Sequence, residues 1–149
     1  MGMDSRSRIE KELEQLVAEI SILEQTAESI RQRLSLAEAS YSEHRQTCDT
    51  LNALKNEKPN IEALVSIGSG SYIKCTIIDV ENVLLNMGGN VYVEKKVDDA
   101  IKIIEERANN ILKFRDNLQQ QLVNVIAKLE EARRRLAELS RSMEGGRTA

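Results

Sequence analysis

Tryptophan is missing, and the 149 residues include only one Phe and three Tyr. Large aromatics dominate the cores of compact domains, so their scarcity argues against an ordinary globule. There is a single proline, while charged residues make up 30% of the chain; both suit long helices with solvated outer faces. The two cysteines, Cys48 and Cys75, lack the paired spacing of a zinc site or a disulfide framework. Each reads as a small buried apolar residue, and a reducing, cytoplasmic setting is the simplest expectation. No apolar run approaches the ~20 residues that a membrane helix needs. Residues 1–6 lack the apolar stretch of a signal peptide, and Arg6 breaks a myristoylation pattern. The net charge of −3 gives no reason to expect nucleic-acid binding. One histidine without a nucleophile signature points away from an enzyme, and no metal or cofactor site is expected.

What the chain does have is two heptad runs. The first passes through Ile9, Leu13, Leu16, Ile20, Leu23, Ala27, Ile30, Leu34, Ala37 and Tyr41, then His44, Cys48 and Leu51. The second passes through Val97, Ile101, Ile104, Ala108, Ile111, Arg115, Leu118, Leu122, Val125, Leu129, Ala132, Leu136, Leu139 and Met143. Apolar positions averaging one per 3.5 residues keep a stripe facing a partner helix. The predicted fold class is mainly α with a small β region: a long antiparallel coiled-coil hairpin with two β-hairpins at its base. The segments are residues 1–58, 59–96 and 97–149, together one domain. Helix one is expected to start near Ser7, where Ser7 and Glu10 fit a capping box. It should end before Pro59 and, from Ile9 to Leu51, reach roughly 65 Å at 1.5 Å per residue. Helix two should start near Val97, with Asp98 and Asp99 at the positive end of its dipole. It should run to about Met143 and stop at Gly145 and Gly146, leaving a frayed tail.

Between the runs the period changes. Four strands are expected at residues 64–67, 71–78, 83–87 and 91–95, with residues 79–82 as a turn. Gly88, Gly89 and Asn90 supply the positive φ angles of a tight hairpin. So small a β region should not be stable alone, and its free edges template pairing with other chains. The candidate oligomerisation residues are Val65, Ile67, Ile73, Ile77, Val83, Leu85, Val91 and Val93. The other candidate site is the free end of the seam, where Ile9, Leu13 and Leu16 should lie beside Leu136, Leu139 and Met143. These residues either close the coiled coil or, where the seam frays, offer roughly 1.5–3 kcal/mol of burial each to a partner.

Two helix registers satisfy the stripes. One sets Arg115 opposite Ala37, His44 opposite Ala108 and Ala132 opposite Ile20, so that large or polar groups meet small ones. The other, one heptad away, faces Ala37 with Ala108 and pushes Arg115 at Ile30. The first is preferred. Gly68-Ser69-Gly70-Ser71 lacks the Lys and the following helix of a phosphate loop, and reads as a strand connection. The run Arg133-Arg134-Arg135 lies among Glu130, Glu131 and Glu138, and reads as a solvated, ion-paired face.

The centre of the chain resembles the α-type subunit of the prefoldin family. The resemblance rests on Val65-Ser66-Ile67-Gly68-Ser69-Gly70-Ser71-Tyr72-Ile73-Lys74, and on residues 86–96 around Met87-Gly88-Gly89-Asn90. It implies two α-type subunits joined with four β-type subunits, their strands forming a platform from which coiled-coil arms extend. It also implies ATP-independent holding of unfolded client proteins at the arm tips and their delivery to a group II chaperonin. Some prefoldin-like chains are expected to self-assemble into filaments through the same strands, which is the alternative reading.

Overall fold

A computed structural model describes residues 2–147, with side chains placed for residues 4–146. The elements run helix α1 (Gly2–Lys55), strands β1 (Ile61–Gly68), β2 (Ser71–Ile77), β3 (Asn82–Asn86) and β4 (Tyr92–Lys96), then helix α2 (Val97–Arg147). The chain divides into two compact units. One joins the residues up to Glu38 with those from Lys113 onward; the other is Ala39–Leu112.

In the first unit, α1 and α2 pack through their heptad stripes. Leu16, Ala132 and Leu139 are buried together, with Ile9, Leu13, Ile20, Leu23 and Leu136 against them. Two ion pairs bridge the helices: Arg133 Nη2 to Glu24 Oε1 at 2.8 Å, and Arg135 Nε to Glu12 Oε1 at 3.0 Å. The Arg133–Glu24 pair fits the register that sets Ala132 opposite Ile20; the alternative would move these two partners about 10 Å further apart along the axis. Arg115 sits half-buried in the stripe, and its head bonds Asp116 Oδ1 from Nη2 at 2.9 Å. Its stem therefore fills a seam position while the charge stays paired and hydrated.

The second unit is built on Cys48, Leu51, Leu85, Val97, Ala100, Ile101 and Ile104. Lys55 Nζ lies 2.7 Å from Asp98 Oδ1, clamping the end of α1 to the start of α2. That pair holds the Asp98 carboxyl below its ordinary range, Lys55 being the main cause. His44 Nδ1 donates to the Ser40 carbonyl at 2.7 Å, since a carbonyl can only accept. The ring is thus satisfied within its own helix.

The four strands form two separate antiparallel hairpins, β1–β2 and β3–β4. In the first, Ser69 and Gly70 turn the chain with φ of 52° and 73°. A bulge between Ser66 and Gly68 precedes the turn. In the second, Gly88, Gly89 and Asn90 all have positive φ, as expected. The Met87 amide donates to the Val91 carbonyl at 2.8 Å and closes that loop. Between the hairpins, Asp79 Oδ1 accepts the amides of Glu81 and Asn82 at 2.9 and 3.0 Å. These bonds pull the exposed Asp79 carboxyl below its ordinary value.

Several boundaries differ from expectation. Helix α1 begins at Gly2, so Ser7 lies inside the helix and caps nothing. Residues 3–6 contain no helix breaker, and Asp4 places negative charge in the first turn. Glu10 pairs instead with Arg6, at 3.7 Å. Helix α2 passes through Gly145 and Gly146 to Arg147. Glycine permits a left-handed stop without compelling one. The rest of the expected tail, residues 148–149, lies outside the described residues. Strand β1 starts at Ile61, three residues early, because its pairing with Ile77 extends the ladder. Val91 precedes β4 and is not a strand residue. It belongs to the loop because its amide donates to the Gly88 carbonyl at 3.0 Å.

Candidate functional site

The two hairpins spend their apolar residues differently. In β1–β2 the cross-strand pairs Ile61–Ile77, Ala63–Cys75 and Val65–Ile73 share one face. Only the end nearest Asn60 is half-buried, and Val65 and Ile73 remain 46% and 47% exposed. Ile67, at the bulge, and Tyr72 are exposed as well. A two-stranded ribbon with an uncovered apolar face and free edges is poised to accept further strands. In β3–β4, by contrast, Leu85 is buried against the helices and Val83 packs on the same cluster. Val93, opposite Leu85, keeps an exposed edge. Of the eight residues expected to recruit other chains, Val65, Ile67 and Ile73 are exposed on the first hairpin and Ile77 is half-buried. Val83 and Leu85 are used within the subunit.

At the end of the seam in the first unit, Ile9, Leu13, Leu16, Leu136 and Leu139, five of the six expected capture residues, share one cluster. Leu16 and Leu139 are buried, and Ile9, Leu13, Leu136 and Met143 are half-buried. The five close on one another, so the geometry is a shut seam rather than an open apolar tip.

A family model described as Prefoldin subunit matches residues 23–142. The chain belongs to the prefoldin family. It falls with the α-type subunits. It is 34% identical to the prefoldin subunit alpha of Pyrococcus horikoshii over 90% of this chain and 86% of that one. It is 32% identical to that of Methanopyrus kandleri over 79% of this chain and 75% of that one. Among solved structures, it resembles a filamentous PFD from Methanocaldococcus jannaschii determined by cryo-EM. The TM-score is 0.63 and the identity 26%, covering 81% of this chain and 94% of that one. Two long helices with two small antiparallel hairpins are the architecture shared with that prefoldin structure.

The heptad reading of this prefoldin chain misses two sets of residues. Arg107 donates from Nη2 to the Asn86 carbonyl at 2.8 Å and approaches Met87 Sδ at 3.8 Å, which ties the second hairpin to α2. Nothing in the local sequence signals a bond across 21 positions. The second set is apolar residues off the stripes: Val17, Ile22, Leu36, Phe114 and Val123 are exposed. Their departure from heptad phase is the signal that could have found them. Phe114 is partly covered by the Arg33 guanidinium, 5.5 Å from the ring centre. No described helix is long and apolar enough to cross a membrane.

Proposed function

We propose that the chain is the α-type subunit of a cytoplasmic, ATP-independent holdase. It joins β-type subunits, two α with four β, through the uncovered face of β1–β2. It holds unfolded proteins at the seam end around Leu13, Leu16, Leu136 and Leu139, and passes them to a group II chaperonin. The observation that carries the reading is the bare face of Val65 and Ile73, beside a second hairpin whose Val83 and Leu85 are consumed internally. One hairpin stabilises the subunit and the other is free to recruit. Because the seam end packs on itself, capture there requires opening, and each Leu released offers roughly 1.5–3 kcal/mol.

Locking the seam tests this. Cysteines at positions 20 and 132, in a Cys75→Ser background and assembled with a β-type partner, should crosslink on oxidation. The oxidised complex should lose suppression of client aggregation and regain it on reduction. Equal activity in both states would refute capture by an opened seam.

A second reading, filaments built by this chain alone, draws support from the likeness to a filamentous relative. Mass measurement with and without a β-type subunit separates the two: a discrete mixed complex favours the holdase, extended homopolymers the filament.

A further inference from the structure

The second hairpin has two edges, and the β3 edge is occupied by side chains. The Val97 amide donates to the Glu81 carbonyl at 2.9 Å, and the Met87 amide to the Val91 carbonyl at 2.8 Å. Both bonds lie on odd-numbered rungs of the ladder that pairs Leu85 with Val93. Bonded and non-bonded rungs alternate in an antiparallel pair. Asn82, Leu84 and Asn86 therefore turn their amides and carbonyls away from β4, toward the free edge of β3. Two of those groups are already taken. Asp79 Oδ1 accepts the Asn82 amide at 3.0 Å, and Arg107 Nη2 donates to the Asn86 carbonyl at 2.8 Å. Asp79 Oδ2 also accepts from the Asn82 side chain at 3.3 Å. Bonds to charged groups are roughly twice as strong as neutral ones, so an incoming strand would have to break both of them. Leu84, between the two, is 72% exposed. Bonding rather than burial closes this edge.

We propose, on the reading that subunits join through the first hairpin, that Asp79 and Arg107 are edge caps. They shut β3 to strand addition and leave β1–β2 as the place where other subunits add strands. The opposite edge of the second hairpin is blunted differently. Strand β4 ends in Glu94, Lys95 and Lys96, and charged side chains discourage pairing along an edge. The first hairpin has neither device. Among the described residues, side-chain bonds to strand backbone fall on the second hairpin alone. Strands β1 and β2 carry one charge each, Glu62 and Lys74. A chain with two adhesive hairpins would link neighbours through both and grow without end; one with a single adhesive hairpin suits a closed complex. Arg107 belongs to α2, so the cap on Asn86 forms only when the hairpin has docked on its helix.

The test uses the full-length chain under reducing conditions, alone and with a β-type subunit. Asp79→Ala with Arg107→Met removes both caps, and methionine keeps a long stem and a good helix former in α2. Alone, the double variant should form larger assemblies than the unaltered chain at equal concentration, seen by light scattering. Within them the Leu84 amide should exchange about tenfold more slowly, the effect of one added hydrogen bond. A merely structural role for the two residues gives the reverse, faster exchange along the hairpin. Adding Leu84→Pro should return the mass to that of the unaltered chain, since proline deletes an outward amide and no ladder bond. Unchanged mass in the double variant, or growth that survives Leu84→Pro, overturns the proposal. The β-type subunit separates this from recruitment itself. A chain that grows on uncapping yet never joins the β-type subunit keeps the caps and sinks recruitment through β1–β2; one that joins it but does not grow on uncapping sinks the caps alone.

Discussion

At the scale of single residues, the two cysteines make opposite predictions. Cys48 is buried in the second unit, and burial, reinforced by Glu105, pushes its thiol up from the ordinary value. Cys75 is half-buried on the uncovered face of the first hairpin. A maleimide should therefore label Cys75 in the isolated chain and leave Cys48 unmodified until unfolding. Assembly with a partner subunit should then protect Cys75; labelling that is unaffected by assembly would remove β1–β2 from the interface. Asp79 gives a pH expectation. Its folded carboxyl titrates below the ordinary ~3.9 because two amides and the Asn82 side chain bind the charged form. The order it brings to the β2–β3 connection is complete above that value and fades as acid passes through the lowered one. Asp79→Ala should lose this acid dependence, read as faster amide exchange at Glu81 and Asn82 already at neutral pH. Leu118, 1% exposed in the seam, is the most deeply buried large side chain described on α2, and Leu118→Ala should cost about 2–5 kcal/mol in denaturant unfolding. The stripes made these core positions legible, because each stripe residue with a placed side chain is buried or half-buried. Arg107 was not legible, since its bond to the Asn86 carbonyl depends on how the hairpin lands on the helix.

At the scale of elements, turn chemistry was readable and helix ends were not. Glycine is required at Gly70, whose φ of 73° disfavours a side chain although nothing within 4 Å would touch one. Gly70→Ala should cost about 1–2 kcal/mol through backbone strain alone, read as a lower denaturant midpoint with unchanged helix content. The helix ends eluded prediction because caps are permissive. Ser7 could have capped α1, and Gly145 could have stopped α2, yet the helix continues across both positions. The division of labour between the hairpins was equally hidden. Both read as alternating apolar strands, and only their placement shows that Leu85 belongs to the subunit core while Val65 does not. Polar substitutions at Val65 and Ile73 should accordingly prevent assembly and leave the helices folded. The same change at Leu85 should first unfold the second unit, seen as lost protection of Ile101 and Ile104 in amide exchange.

For the molecule as a whole, the family affiliation rests on the central segment and on the paired heptads together. The central segment is the specific part; the heptads alone would not have carried it, because many coiled coils share them. The tightly closed seam end adds a constraint the sequence left open. Serine at Leu13, Leu16, Leu136 and Leu139 should weaken client protection and also lower the unfolding midpoint of the first unit, since two of the four are buried there. A variant that loses protection at full stability would point to capture outside the seam. One connection sets how the hairpins and the helices communicate. Strand β4 ends at Lys96 and α2 begins at Val97, with no residue between them, whereas α1 reaches β1 only through residues 56–60, including Pro59. A rotation of the second hairpin would thus pass directly into the first turn of α2, whereas one of the first hairpin would reach α1 only across five connecting residues.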